Sequence, residues 1–429
     1  MMYRIMVLLY IISLFYNIPL FNIGIEVKLF TLVFVYFFFH FLRNREGIYD
    51  FAWSDRVSRS MLKFGLWCGF TFMFGITYMV IIGEVQFVLM SVLYYYHLWG
   101  FIIATIFLRK SFLLDIRYFE KMVFAMLVVS VVEGLIILGQ NVEAVPYLWA
   151  KEYFMAYGGE TALTGTLGPN RVVPGTAMYL CFVLAAAVIA ARSKLQVSRF
   201  LSVFLAILSV VCVVLTGSRT GYISLASFMV FLGLLSPVNI MRALVPAVLV
   251  FFLLVKFLDT SAIEERMEFT ISWRITEDLA VTQKYASDEG DYYGRLGSGR
   301  KGKLERAGNF LLENPWFIPF GGGFNNRFLD AYKAGNSAHN LFLTLVIENG
   351  LVGLVLFLGI FVAFVRGNVF ERETITLAAL TGSALVNMFF GEAFYIFRPS
   401  FALLGMLFLV ATMVDLMRMS AKVYDLQKE

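Results

Sequence analysis

Three side chains in this sequence stand out for chemistry their apolar surroundings do not require. They are Arg219 in "LTGSRTGY", Arg300 in "GSGRKGK" and His339 in "NSAHNLFLTL". A guanidinium is a planar fork of donors that meets phosphate oxygens in pairs. Glycines flank both arginines and let backbone come close to a bulky anion. Lys301, Lys303 and Arg306 follow Arg300 and raise the local positive potential. His339 is expected in the first turn of a helix, with Asn336 or Ser337 as its N-cap. There the positive end of the helix keeps an imidazole neutral and able to accept a proton. Each residue also has a plain reading. Arg219 can snorkel from an apolar span to the interface, the basic loop can be merely solvated, and His339 can be a structural capping histidine.

Other residues offer supporting chemistry. Arg171 in "TLGPNRVVPG" tops an apolar span, and Arg306 and Arg327 lie in a basic stretch after Arg295. Glu392 and Arg398 flank "GEAFYIFRPS", where they can serve a site or pair with each other. Glu133 and Glu348 fall inside apolar spans, where a carboxylate is expensive and is either functional or packed against a partner. Cys68, Cys181 and Cys212 all lie in apolar runs and form neither a disulfide framework nor a metal cluster. Gly321, Gly322 and Gly323 lack the strand and helix of a nucleotide motif. No metal or other cofactor is expected, and nothing suggests nucleic acid.

The elements that must position these residues are membrane helices. Hydrophobic residues make up 60% of the chain and charged ones 15%, far from the surface composition of a soluble domain. Apolar runs of roughly 17 to 25 residues recur, and in lipid only segments that satisfy their own backbone are viable. The expected fold is all-α, a polytopic bundle of about twelve transmembrane helices. The spans are read at 4–21, 25–42, 62–82, 86–108, 122–140, 173–191, 200–216, 221–236, 242–258, 340–365, 374–391 and 399–417. The first begins at once with no small-residue cleavage site after it, so no removed signal peptide is expected.

Lys and Arg gather in alternate linkers, among them Arg43, Arg45, Arg56 and Arg59, then Arg109 and Lys110, then Arg192 and Lys194. That bias puts both termini in the cytoplasm. Residues 1–258 then hold the first nine helices, with an external loop at 141–172. Residues 259–338 form one large, largely helical external loop. Residues 339–429 hold the last three helices and a cytoplasmic tail. Within the loop "KGKLERAGNFLLE" has helical periodicity, and "NPWFIPFGGGFNNRF" reads as a glycine-rich turn. Arg219, Arg300 and His339 all fall on the external side.

The series "TGTLGPNR…PGTAMYL", "LTGSRTGYISL", "GSGRKGKLERAGNFLLENPWFIPFGGGF" and "SAHNLFLTLVIENGLVGLVLFL" resembles the O-antigen ligase and O-antigen polymerase superfamily. Those are bacterial polytopic glycosyltransferases that use polyprenyl-diphosphate-linked glycans. The resemblance runs from about residue 165 to residue 357. It implies that Arg219 and Arg300 hold a lipid diphosphate and that His339 serves catalysis, in an inverting, metal-independent transfer on the periplasmic face of the inner membrane. Its partners would be a lipid-linked oligosaccharide donor, a glycan or lipid acceptor, membrane lipid and a chain-length regulator. One departure stands in the loop, where the family pattern NP-x-x-G-x-G is here "NPWFIPFGGG", with Ile318 and Pro319 ahead of the glycines.

Two activities fit that resemblance. A polymerase passes the glycan to another lipid-linked repeat, and a ligase passes it to lipid A–core. A ligase must bind a heavily phosphorylated acceptor, and no further cluster of external bases accompanies the large loop, which favours a polymerase. A twelve-span transporter or flippase is the alternative of another class. It would place its binding groups near the midplane in repeated halves, whereas these charges gather at one mouth.

Overall fold

The structure is a computed structural model. It describes residues 2–15, 19–22, 26–146, 163, 165–166, 172–191, 197–216, 218–236, 300–324, 329, 340–365, 372–390 and 399–426. The helices are α1 (Met2–Phe15), α2 (Leu29–Arg43), α3 (Arg45–Ser54), α4 (Arg56–Ile81), α5 (Val88–Leu114) and α6 (Ile116–Asn141). Then come α7 (Val172–Ala191), α8 (Arg199–Leu215), α9 (Arg219–Leu235), α10 (Arg300–Glu313) and the one-turn α11 (Phe317–Phe320). The last three are α12 (Leu341–Val365), α13 (Arg372–Phe390) and α14 (Pro399–Leu426). Among the described residues four helical stretches are long and apolar enough to cross a membrane: Arg56–Ile81, Val85–Leu114, Ile116–Asn141 and Leu341–Val365. Shorter apolar helices accompany them. The expected span 242–258 and loop residues 259–299 lie outside the described residues.

The helical reading holds, with corrections at its edges. The expected spans 4–21 and 25–42 are separated by a small antiparallel hairpin, β1 (Pro19–Asn22) with β2 (Glu26–Lys28). Pro19 has no amide to continue a helix, so the first helix ends well short of residue 21. A further helix, α3, occupies the expected linker after residue 43. It is amphipathic, with Ile48 and Ala52 buried one turn apart and Arg45, Glu46 and Asp50 exposed. Helices α4, α6 and α14 overrun their apolar spans, starting at Arg56 and Ile116 and ending at Leu426. Hydropathy marks the thickness of lipid, not the end of a hydrogen-bonded helix.

Polar caps set several of these starts. Asp55 accepts from the Ser58 amide at 2.9 Å, Asp115 from the Tyr118 amide at 3.0 Å and Ser198 from the Leu201 amide at 3.3 Å. Each satisfies an amide that the first turn leaves open.

Asp55 also joins an ionic clasp. Arg109 near the end of α5 is almost fully buried and donates to both Asp55 oxygens, at 2.7 and 2.9 Å. The same guanidinium reaches Asp415 of α14 at 2.6 Å and the Thr412 hydroxyl at 3.2 Å, while Arg56 donates to Asp415 at 3.2 Å. Two arginines and two carboxylates thereby tie the start of α4, the end of α5 and the last helix together. Burial pushes the Asp55 carboxyl up, but the hydrogen bonds and charge of Arg109, with the Ser58 amide and hydroxyl, outweigh it. The group is held below the usual carboxylate range.

The clasp orients the remaining helices. From it α4 runs away, and the Phe64 ring packs at a tilt against Phe357, while Trp67 and Thr71 bond to Asn349. Helix α12 therefore starts at the end far from the clasp. Helix α6 also leaves the clasp end, and its Gly134 packs on Leu208 and accepts from the Cys212 thiol of α8. So α8 too ends far from the clasp, and α9 begins there.

Candidate functional site

The far end is built from the quoted motifs, and glycines fix how they meet. Helix α9 starts at Arg219 because Ser218 accepts from the Gly221 amide at 3.2 Å. A Cβ on Gly221 would lie 3.1 Å from the carbonyl oxygen of Gly175, and one on Gly175 would collide with the Ser218 side chain. The "PGT" turn of α7 and the "GSRTG" start of α9 are thus packed backbone on backbone. The close approach that Gly221 permits is to Gly175, a neighbouring helix. Below this mouth α9 is fastened to α13 and α7. The Ser383 hydroxyl donates to the Ser224 carbonyl at 2.7 Å and lies 2.6 Å from the Tyr179 hydroxyl, and Asn387 donates to the Ser224 hydroxyl.

Glu133 is explained by packing. One carboxylate oxygen accepts from the Thr166 amide at 2.8 Å and the other from its hydroxyl at 2.6 Å. One turn pair further on, Gln140 accepts from the Gly165 amide at 2.8 Å and donates to its carbonyl at 3.2 Å. Gly165 has φ +56°, and a Cβ there would strike Glu133. These four bonds hold the "TGT" turn against α6, in the segment that leads to Arg171.

The large loop is locked to α12 by a second pair of glycines. Helix α12 breaks at Gly350, with φ 67° and ψ −178°. The break frees carbonyls: Ile347 accepts from the Gly322 amide at 2.8 Å and Glu348 from the Gly323 amide at 2.9 Å. Gly321 and Gly323 have φ +75° and +112°, backbone that L side chains rarely adopt. A Cβ on Gly321 would collide with the Glu348 carbonyl, and one on Gly350 with the Pro319 carbonyl. The "NPWFIPFGGG" and "IENG" motifs are therefore two halves of one contact. In front of it α10 lies on the bundle, where Ala307, Phe310 and Leu311 share a buried cluster with Ile347 of α12 and Met79 of α4.

Arg300 is the first residue of α10. Arg306 is on the exposed side. Arg219 is the first residue of α9. His339, Asn336 and Ser337 lie outside the described residues; among the described ones Asn340 accepts from the Leu343 amide at 3.0 Å. Glu348 is buried at the break, beside the loop glycines. Arg171, Arg327, Glu392 and Arg398 lie outside the described residues.

The starts of α9 and α12 thus lie at one end of the bundle, with α10 packed there and the ionic clasp at the other. Sequence reasoning missed Asn340, the Gly350 break and the anchoring of Asn349. There the Asn349 carbonyl accepts from the Trp67 indole at 2.8 Å and its side chain from Thr71 at 2.7 Å. The Asn-Gly pair inside an apolar run was a breaker signal.

Residues 204–358 match the family model described as O-Antigen ligase. The superfamily resemblance read from the sequence is borne out over that stretch, which holds the GSR helix, α10, the glycine turn and the kinked helix. The protein is a membrane protein of a glycan-handling type. No curated protein matches the chain.

Proposed function

We propose that the protein is a glycosyltransferase that takes its donor from a polyprenyl-diphosphate-linked oligosaccharide, on the periplasmic face of a bacterial inner membrane with both termini cytoplasmic. The observation that carries this reading is the family match over 204–358, which spans Arg219, Arg300 and His339 together. The common end at which α9 and α12 start supports it.

In the reaction the acceptor hydroxyl attacks the anomeric carbon of the donor sugar. Its bond to the phosphate oxygen breaks, and polyprenyl diphosphate leaves with the electron pair. Arg219 and Arg300 hold the diphosphate and stabilise its growing charge. His339 takes the acceptor's proton. Arg171, Arg327 and Arg398 are further candidates for anion contacts, and Arg306, on the exposed side of α10, is the weakest. Glu348 and Glu392 would support the site; for Glu348 the support is to the loop contact at Gly323.

The acceptor is another lipid-linked repeat, which makes the protein a polymerase. The matched family's description favours a second reading, a ligase acting on lipid A–core. The glycan profile of a deletion strain separates them. Single repeats attached to core mean a lost polymerase, and a full ladder retained on polyprenyl carrier means a lost ligase. An unchanged profile would refute both.

A further inference from the structure

At the end of the bundle opposite the proposed site, the ends of α2 and α5 and the start of α3 enclose an open cleft of about 700 Å³. Its polar wall carries Arg43, Arg45 and Lys110 against one acid, Glu46. These bases differ from their neighbours. Arg56 and Arg109 are both engaged by carboxylates. Among the described residues neither Arg43 nor Arg45 pairs with one, and both are exposed. Lys110 donates to the Gly47 carbonyl at 2.7 Å, which leaves two of its three N–H groups available. The other wall is apolar and open. Leu42 is 54% exposed and Leu114 78% exposed, each at the end of an apolar helix whose outer residues, such as Phe39, face outward.

We propose that this cleft binds the phosphate headgroup of an anionic phospholipid from the leaflet at that end of the bundle. Arg43, Arg45 and Lys110 contact the phosphodiester, and the acyl chains run over Leu42 and Leu114. A cationic floor with an apolar lip matches a lipid rather than a free anion, because inorganic phosphate gains nothing from the two leucines. Arg fits here because its fork meets phosphate oxygens in pairs and stays charged. The site is independent of the transfer reaction: it lies at the clasp end, and none of its residues belongs to the proposed catalytic set.

The test uses the full-length protein in detergent, with phosphatidylglycerol titrated and retained lipid counted by native mass spectrometry. Phosphatidylcholine, and inorganic phosphate as a competitor, form the other arms. The wild type should retain one phosphatidylglycerol at least tenfold more tightly than phosphatidylcholine, and millimolar inorganic phosphate should not displace it. Arg43→Gln with Arg45→Gln should weaken that binding about tenfold, since charge-assisted phosphate contacts contribute on that scale. Lysine at both positions should keep part of it. Arg117→Gln with Lys121→Gln removes the same charge from exposed positions on α6 and should change binding less than twofold. Equal retention by the Arg43/Arg45 double variant, at an unchanged melting temperature, would overturn the proposal. Equal binding of phosphatidylcholine would do the same, and so would displacement of the lipid by inorganic phosphate.

Discussion

Gly350 of α12 lies against the carbonyl of Pro319 with no room for a side chain. The helix breaks there, and the large loop docks into the break through the amides of Gly322 and Gly323. This contact positions α10, and with it Arg300, relative to the membrane helices.

Substituting either half of that contact should undo it. Gly350→Ala and Gly321→Ala each force a side chain into positive φ and into backbone, at about 1–3 kcal/mol or more. Both should lower the melting temperature and expose the loop to protease. Gly359→Ala, on the same helix with open space around it, should be neutral or stabilising by up to about 1 kcal/mol. Equal melting of all three variants would show that the contact carries no stability.

The start of α12 separates capping from chemistry. Asn340→Ala should cost about 1 kcal/mol of stability and leave much of the transfer rate. His339→Ala should leave melting unchanged and lower the rate by about 10² to 10⁴, with donor binding retained. Parallel melting curves and transfer assays check both. A destabilised His339→Ala with normal turnover would make the histidine structural.

The clasp should be sensitive to acid. Because the Asp55 carboxyl is held low, its contribution is complete at neutral pH and is lost as pH falls through that lowered value, below about 3.9. The melting temperature of the wild type should fall steeply in that acid range. Asp55→Asn should melt lower at pH 7 and show a shallower acid decline. Arg109→Ala, which leaves Asp55 without an arginine and Asp415 with Arg56 alone, should cost about 3–5 kcal/mol. An acid limb unchanged by Asp55→Asn would assign the decline to other groups.

The sequence made some of these features legible and hid others for physical reasons. Helix α10 was readable because its periodicity is local, and Ser218 ahead of Arg219 is an ordinary capping signal. The break at Gly350 was signalled by the Asn-Gly pair but passed over, because the apolar text on both sides reads as one span from residue 340 to residue 365. The clasp could not be read at all: Arg109 meets Asp55 and Asp415 across 54 and 306 residues of chain, and Lys and Arg counts see only a cytoplasmic charge. Glu133 was weighed between function and packing, and its bonds to Thr166 decide for packing. The cap at Asn340, which accepts from the Leu343 amide, was passed over because Asn336 and Ser337 offered the same chemistry a few residues earlier.

The most direct measurement is transfer by the purified protein from a synthetic polyprenyl-diphosphate oligosaccharide, followed by the release of polyprenyl diphosphate. The wild type should consume the donor and build longer lipid-linked glycan. Arg219→Ala and Arg300→Ala should each lose about 10²-fold or more in rate at an unchanged melting temperature, as the removal of charge stabilisation in a transition state does. Lysine at either position should recover only part, because it keeps the charge and loses the fork. Undiminished transfer by Arg219→Ala, or a wild type that never consumes the lipid-linked donor, would contradict the account.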